Sequence, residues 1–403
     1  DMVHGHLMHL SAQHFLANTF WCGEPDSEDD WFSVMEGTRL YHSTLDVEYN
    51  AAPWYLSVWP SLLRRQLMQW AQLARPHEPS GGAIMPHDLG RGFEVGRTAY
   101  PHQMPVEENS NFMLLLDAYA CWTGDLQTVE HLADVVRRLG NHLLWTDTDE
   151  SGFPSEGTNN SLANADPALR FARKQTPMAV KRVMALRSVS SLLERAGNGE
   201  EASLFEQVYQ EDVQRIEEQA WLGDHYGLCI DPSLANLTDP GNGQPASTEK
   251  LSGWDAYSIH CTNALLLPLM VGRTPLLDEK RLIGDLIATS RETLDRYGCG
   301  HSSHQRDHVW VSQNIWREHL CRYLGQSLPS LAQRAWDLQV MSNTGEQSQG
   351  FIDCYIHNAL CFYPRGVVAY GFLLAAPRLK IDRLAPGGAR LIVDPDRHHP
   401  QRW

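Results

Sequence analysis

Apolar residues return every three or four positions along almost the whole chain, and this rules out most architectures before any motif is considered. The stretch Trp54 to Leu73 reads WYLSVWPSLLRRQLMQWAQL, which places its apolar residues on one helical face. Similar stretches run roughly over 6–20, 107–122, 127–145, 168–196, 199–219, 254–270, 278–296, 307–324, 328–340 and 353–375. Strand-like alternation is scarce apart from Ala389-Arg390-Leu391-Ile392-Val393. The spacing therefore predicts about eleven helices. Pro and Gly cluster between them, as in Arg75-Pro76-His77-Glu78-Pro79-Ser80-Gly81-Gly82 and Asp239-Pro240-Gly241-Asn242-Gly243. Helical patterning of the same character resumes after each cluster, so these are loops inside one domain spanning residues 1–403. The helices fall into rough hairpin pairs. Six such pairs close an (α/α)6 toroid, an all-α barrel with inner and outer helical rings. Other helical stacks fit the count, but no fixed-period repeat favours a solenoid.

Composition excludes several function classes. Of the 403 residues 42% are hydrophobic, ample for a core. The formal net charge of −16 argues against a nucleic-acid partner, which wants a basic face. No apolar run approaches the roughly 18–20 residues of a membrane span. Neither G-x-x-x-x-G-K-[ST] nor G-x-G-x-x-G occurs. Eight cysteines form no C-x-x-C pair, and most lie in apolar stretches. Buried free thiols in a reducing, cytoplasmic compartment are the expectation. The chain opens on Asp1 with no basic-then-apolar leader, which suggests a processed start or a piece of a longer chain.

Candidate site residues sit where loops meet helices. The segment Met35 to Asp46 carries Glu36 and Asp46 ten residues apart, just before a strong helix. Two such acids serve as nucleophile and anchor, or as acid and base; the alternative is that Asp46 only caps the helix. Gly82 to Gly92 contains a His87-Asp88 pair that can hold a sugar hydroxyl between donor and acceptor. No second ligand lies at zinc-site spacing from it, so no metal is expected there. His301, His304 and His308 do have that spacing, and a polar helix start explains them. Glu107 and Glu108 open another helix, as dipole complements or as substrate contacts. The loop Glu156 to Asp166 is rich in small polar groups, and Asp166-Pro167 fits a helix cap. Gly253 to His260 joins Trp254, Asp255, Tyr257 and His260, a set suited to a sugar ring or to ordinary helix packing. Tyr363-Pro364-Arg365-Gly366 sets Arg365 after a proline break.

In series these segments resemble the catalytic domain of glycoside hydrolase family 52, the β-xylosidases, and more distantly the family 116 β-glucosidases. The resemblance runs from about residue 10 to 375 and keeps the segment order. Met35-Glu36-Gly37-Thr38-Arg39-Leu40-Tyr41-His42-Ser43-Thr44-Leu45-Asp46-Val47 resembles N-E-G-E-Y-R-M-F-N-T-F-D-L, which implies Glu36 as nucleophile and Asp46 as a sugar contact. Pro86-His87-Asp88-Leu89-Gly90 resembles T-H-D-M-G, which implies His87 as a sugar contact. Phe362 to Val367 resembles Y-Y-P-R-G-V. Thr158-Asn159-Asn160-Ser161-Leu162 resembles the run that holds the family acid/base, but that position falls on Asn160, whose amide cannot deliver a proton. Either Asn160 is an engineered change, or Asp166 (with Glu156 next) takes the role. These relatives carry a β-sandwich before the barrel that this chain has no length for, which implies a fragment, a short form, or a site completed by a partner or a second copy.

The expectation is a retaining exo-glycosidase on β-linked xylosides or glucosides, with a small saccharide substrate and no cofactor. Glu36, Asn160 and Asp166 mark the catalytic positions. Asp46, His87, Asp88, Trp254, Asp255 and Arg365 form the sugar-binding shell. The alternatives are a catalytically impaired sugar-binding barrel and an inverting hydrolase on the same fold.

Overall fold

Helices apolar on every side alternate along the chain with helices apolar on one side only. This computed structural model describes residues 2–24, 27, 30–162, 167–234, 252–326, 328, 331–344, 350–354, 360–374, 379–382 and 390–393. Its helices are α1 (Met2–Ala17), α2 (Leu45–Val58), α3 (Pro60–Gln72), α4 (Pro105–Thr123), α5 (Leu126–Trp145), α6 (Pro167–Phe171) and α7 (Thr176–Arg195). They continue with α8 (Gly199–Gln219), α9 (His260–Asn263), α10 (Leu266–Met270), α11 (Glu279–Thr293), α12 (Val311–Tyr323), α13 (Leu331–Ser342) and α14 (Gly371–Leu374). A 3-10 helix, Pro364–Tyr370, leads directly into α14.

Burial sorts these into two rings. In α4 every residue from Pro105 to Cys121 is buried. In α5 the buried residues are Thr128, Val129, Leu132, Val136, Leu139, Gly140, His142 and Leu143, one stripe at helical spacing. A helix buried all round has neighbours on every side. Accordingly α2 packs on α4, α4 on α7, α7 on α9, and α9 and α10 on α12; the 3-10 helix packs on both α12 and α2 and closes the ring. Outside it, α3 lies on α2, α5 on α4 and α7, α8 on α7, α11 on α9, α13 on α12, and α1 on the 3-10 helix. The fold is the expected (α/α)6 toroid, with the first helix serving as the outer partner of the last inner segment.

Several expected helices are broken: 254–270 is helical only over α9 and α10, the described part of 353–375 is helical only over the 3-10 helix and α14, and two others break at a proline. The run Trp54 to Leu73 is α2 and α3, with Trp59 between them at φ −150° and ψ 66°, because Pro60 bars the preceding residue from helical geometry. The run over 168–196 is interrupted by Ala172–Gln175, which pairs antiparallel with Cys229–Leu234. Helix α7 restarts with Pro177 in its first turn. The strand expected near the end, Arg390–Val393, pairs with Leu379–Asp382. Sheets among the described residues are two-stranded and antiparallel. The eight cysteines are free thiols. Among the described residues no helix is long and apolar enough to cross a membrane.

His319 ties α12 to the 3-10 helix. Its Nε2 donates to the Val368 carbonyl oxygen at 2.9 Å, Nδ1 has no partner, and burial pushes its pKa down to about 4. In the unfolded chain the same ring titrates near its ordinary value of 6.5. The unfolded state therefore binds the proton first as pH falls, and stability declines through that interval. His142, pushed down to about 4, and His260, to about 3, act in the same direction. Tm should fall between pH 6.5 and pH 4, and His319→Gln, which keeps a donor near Nε2, should flatten that slope. An unchanged slope in the variant would assign the acid lability elsewhere.

Candidate functional site

Successive helices run antiparallel, so the inner helices point the same way and their N-terminal ends meet at one mouth. An open pocket lies there, with about 540 Å³ of empty space when the solvent at its mouth is included. Each inner segment sends residues to it: Asp46 and Tyr49 from α2, Glu107 from α4, Lys181 from α7, His260 and Asn263 from α9, Gln313 and Trp316 from α12, and Arg365 from the 3-10 helix. Tyr49, Trp310 and Trp316 give aromatic walls. Asn50, Gln313 and Asn263 are linked by hydrogen bonds of 2.9 Å and 3.1 Å between their side-chain amides. Such a surface offers ring faces to C–H groups and amides to hydroxyls.

Glu107 is the best anchored carboxylate of the pocket. Its Oε2 accepts from the Ser161 backbone N–H at 2.7 Å, and its Oε1 accepts from Ser161 Oγ and Lys181 Nζ, both at 3.1 Å. Glu108, the next residue, is fully buried. Its Oε2 accepts from Asn111 at 3.0 Å, and its Oε1 has no partner. Asp46 is buried beside it, with Oδ1 also unpartnered. Arg365 lies 3.8 Å from Asp46 Oδ2 and His87 Nε2 lies 3.9 Å from Asp46 Oδ1. Burial first, and the Glu107 charge after it, push the Asp46 pKa up despite these cations. Burial and the Asp46 charge push Glu108 well above the usual carboxylate range.

Glu36 owes its place to a glycine. Gly37 has φ +48°, and a Cβ there would stand 2.6 Å from the Cys361 carbonyl oxygen. Only glycine lets the two backbones come this close. Glu36 then accepts from Thr44 Oγ1 at 2.9 Å and from the Tyr363 hydroxyl. Burial raises its pKa, and Asp46 adds to the rise. Glu36 is partly exposed and is not among the residues lining the pocket.

Four expected residues, Glu36, Asp46, His87 and Arg365, come together as one cluster. Asp88 belongs behind it, not to the sugar-binding shell. It is fully buried, and its carboxylate accepts from the backbone N–H groups of Gly90, Ala99 and Tyr100 at 2.8 to 3.0 Å, and from His87 Nδ1 at 3.1 Å. It orients the His87 ring, which stacks on Tyr100 at 4.1 Å. Burial alone would lower the His87 pKa, but the Asp88 hydrogen bond and the Asp46 charge outweigh it and hold it up. Arg365 donates through two nitrogens to Asp353 and lies over Trp310 at 4.5 Å.

Trp254 and Asp255 do not line the pocket. Both are exposed, and their carbonyl oxygens accept from Leu228 N and His225 Nε2. Trp310 and Trp316 supply the aromatic surface instead. Asn160 is buried away from the pocket. Its Nδ2 donates to the Leu169 carbonyl oxygen and to Gln175 Oε1, both at 2.9 Å, and its Oδ1 accepts from Leu162 N at 3.0 Å. The loop does reach the site, but through its neighbours Ser161 and Leu162. Asp166 lies outside the described residues. Glu107, expected as a dipole complement or a substrate contact, lines the pocket; Lys181, which the sequence did not single out, carries its signal as a charged residue inside a stretch otherwise apolar enough to be buried on all sides.

Asn160→Asp should not create an acid. A carboxylate cannot donate to two oxygens, so we expect a loss of about 1–3 kcal/mol of stability, read as a lowered Tm with no gain in turnover. A gain in turnover would return Asn160 to the catalytic centre.

A family model described as the glutaminase A six helical-hairpin domain matches residues 4–233. The match is to this six-hairpin domain and not specifically to the family 52 β-xylosidases. No curated protein matches the chain. Among solved structures it is similar to the family 78 rhamnosidase of Bacillus sp. GL1, with TM-score 0.52, 14% identity and coverage of 89% of this chain and 38% of that one. A rhamnosidase from Klebsiella oxytoca with rhamnose bound aligns with TM-score 0.54 and 14% identity, over 93% of this chain and 64% of that one. A bacterial glucoamylase complexed with acarbose aligns with TM-score 0.52 and 10% identity, over 85% and 48%. The chain thus spans less than two thirds of each. At these identities the likeness concerns the toroid alone.

Proposed function

The chain belongs to the glutaminase A six helical-hairpin family, and from that premise we propose that it is a carbohydrate hydrolase that cleaves a terminal sugar in the pocket at the mouth of the ring. The observation that carries this reading is Glu107, a carboxylate held by Lys181 and Ser161 in an aromatic-walled pocket. Enzymes named rhamnosidase and glucoamylase share the ring, which fits the same reading.

Glycoside cleavage needs one carboxyl to protonate the leaving oxygen and another to attack carbon or activate water. A nucleophile has to be ionised, whereas a donor has to keep its proton. Glu107, on the pocket wall and anchored by Lys181 and Ser161, is placed for the attacking or water-activating role. Glu36, which burial pushes toward the protonated form, suits the donor better than the nucleophile expected from the family 52 resemblance. Asp46, His87 and Arg365 remain the sugar-binding shell. A β-xyloside or β-glucoside stays the finer proposal. Retention would follow from a donor–nucleophile separation of about 5–5.5 Å and inversion from about 6.5–9.5 Å.

The test is a panel of 4-nitrophenyl α-rhamnoside, α-glucoside, β-xyloside and β-glucoside, with L-glutamine beside them. Turnover of one glycoside is expected, falling by about 10²–10⁴-fold in Glu107→Gln and in Glu36→Gln. Proton NMR of the first-formed anomer separates retention from inversion. Ammonia release from glutamine with every glycoside intact would overturn the reading in favour of the activity in the family's name. Sugar binding without turnover would make the chain an impaired barrel.

A further inference from the structure

Two carboxylates of one cluster each leave an oxygen unused in the interior. Asp46 Oδ1 and Glu108 Oε1 are buried and without a hydrogen-bond partner. A buried carboxylate oxygen with nothing to accept from is costly, and two in one cluster are more so. The third member is an imidazole. His87, Asp46 and Glu108 each offer a ligand atom, and these atoms lie within 4.8 Å of one another. His87 Nε2 is 3.9 Å from Asp46 Oδ1.

We infer that Asp46, His87 and Glu108 bind a divalent transition-metal cation, Zn²⁺ or Mn²⁺, in the wall of the pocket. The geometry is near what such an ion needs. Ligand atoms at about 2.0–2.2 Å from a common tetrahedral ion stand roughly 3.3–3.6 Å apart, so the cluster, whose ligand atoms lie within 4.8 Å of one another, closes on it with side-chain shifts of about an ångström. The charges match as well, since two carboxylates and a neutral imidazole carry −2. An imidazole with two carboxylates favours a first-row transition metal over Ca²⁺, which takes all-oxygen cages.

The residue behind the cluster is the independent sign. A metal-binding histidine almost always gives its other ring nitrogen to a carboxylate or carbonyl, which fixes the ring. Asp88 does this to His87 Nδ1 at 3.1 Å and is itself held by the backbone N–H groups of Ala99 and Tyr100. Nε2 is thereby turned toward Asp46. Arg365 faces the other Asp46 oxygen, Oδ2, and leaves Oδ1 to the ion. Three protein ligands leave coordination positions open, and Asp46 lines the pocket, so neighbouring sugar hydroxyls can complete the shell. That role rests on the glycosidase reading; the presence of the ion does not.

The experiment is metal analysis of the purified chain after dialysis against Zn²⁺ or Mn²⁺, with Tm followed against added metal and against EDTA. One ion per chain and a Tm rise of a few degrees are expected. Glu108→Gln and His87→Asn should each bind at least tenfold more weakly. Glu108→Gln is isosteric and can keep an acceptor for Asn111, so its metal-free Tm should match wild type, which separates lost binding from lost folding. No bound ion and no Tm shift at millimolar Zn²⁺ or Mn²⁺ would overturn the inference, as would binding of Ca²⁺ alone. Because metal content and Tm involve no substrate, failure to bind an ion would sink the metal site and leave the proposed function standing, whereas failure of every glycoside would leave the metal site standing.

Discussion

The structure depends on inner helices that run parallel and end at one mouth. Each helix N-terminus carries unsatisfied N–H groups and a partial positive charge of roughly +0.5. Gathering several of these in one place draws anions. The acids answer: Asp46 stands in the first turn of α2, and Glu107 and Glu108 in that of α4. A helix end stabilises a carboxylate by about 0.3–1 kcal/mol, up to about 2 when partly buried. One unit of pKa is worth about 1.36 kcal/mol. The upward direction of Asp46 and Glu108 therefore means that burial outweighs the dipoles. The site holds more negative charge than its own backbone can carry, and the nearby cations are the response.

Those cations are placed with some economy. Lys181 takes Glu107, and Arg365 is shared between Asp353 and Asp46. Glu108 alone has neither a cation within salt-bridge distance nor a second hydrogen bond on its free oxygen. This imbalance separates the Asp46–His87–Glu108 corner from the Glu107–Lys181 corner and gives the two sides of one pocket different chemistry.

Buried polar ties elsewhere keep the rings in register. Arg182 on α7 reaches Asp212 on α8 at 2.6 Å, with both side chains almost fully buried. Arg317 on α12 bonds Thr262 on α9 at 2.9 Å and also reaches Thr289 on α11. Such pairs add little net stability over apolar packing, but they penalise any other helix order, since removing one partner leaves a charge stranded. An apolar interface between two helices can slide, whereas a buried guanidinium cannot.

Helicity, hairpin pairing and the existence of a polar site were legible in the sequence because they follow from local periodicity and from charges set in apolar runs. Amphipathic stripes such as that of α5 mark outer helices, and apolar runs opened by Glu107-Glu108 mark inner ones. Glu36, Asp46, His87 and Arg365 were legible because each stands beside a Gly or Pro that fixes its backbone, or at a helix start. The roles of Asp88 and Asn160 were not. A carboxylate that accepts backbone N–H groups from residues ten or more positions away, and an amide that braces Leu169 and Gln175, read in sequence like any exposed polar loop residue. The exposed aromatic Trp254 and the pocket aromatics Trp310 and Trp316 are likewise the same residue type. Nor could spacing reveal the Asp46–His87–Glu108 corner, since its members come from α2, a loop and α4. Sequence determined which segments are helices and which end of each is polar, because those are nearest-neighbour properties of the chain. Only the closing of the ring decided which polar ends share a pocket, because that depends on packing between residues more than three hundred positions apart, as Glu36 and Tyr363 are.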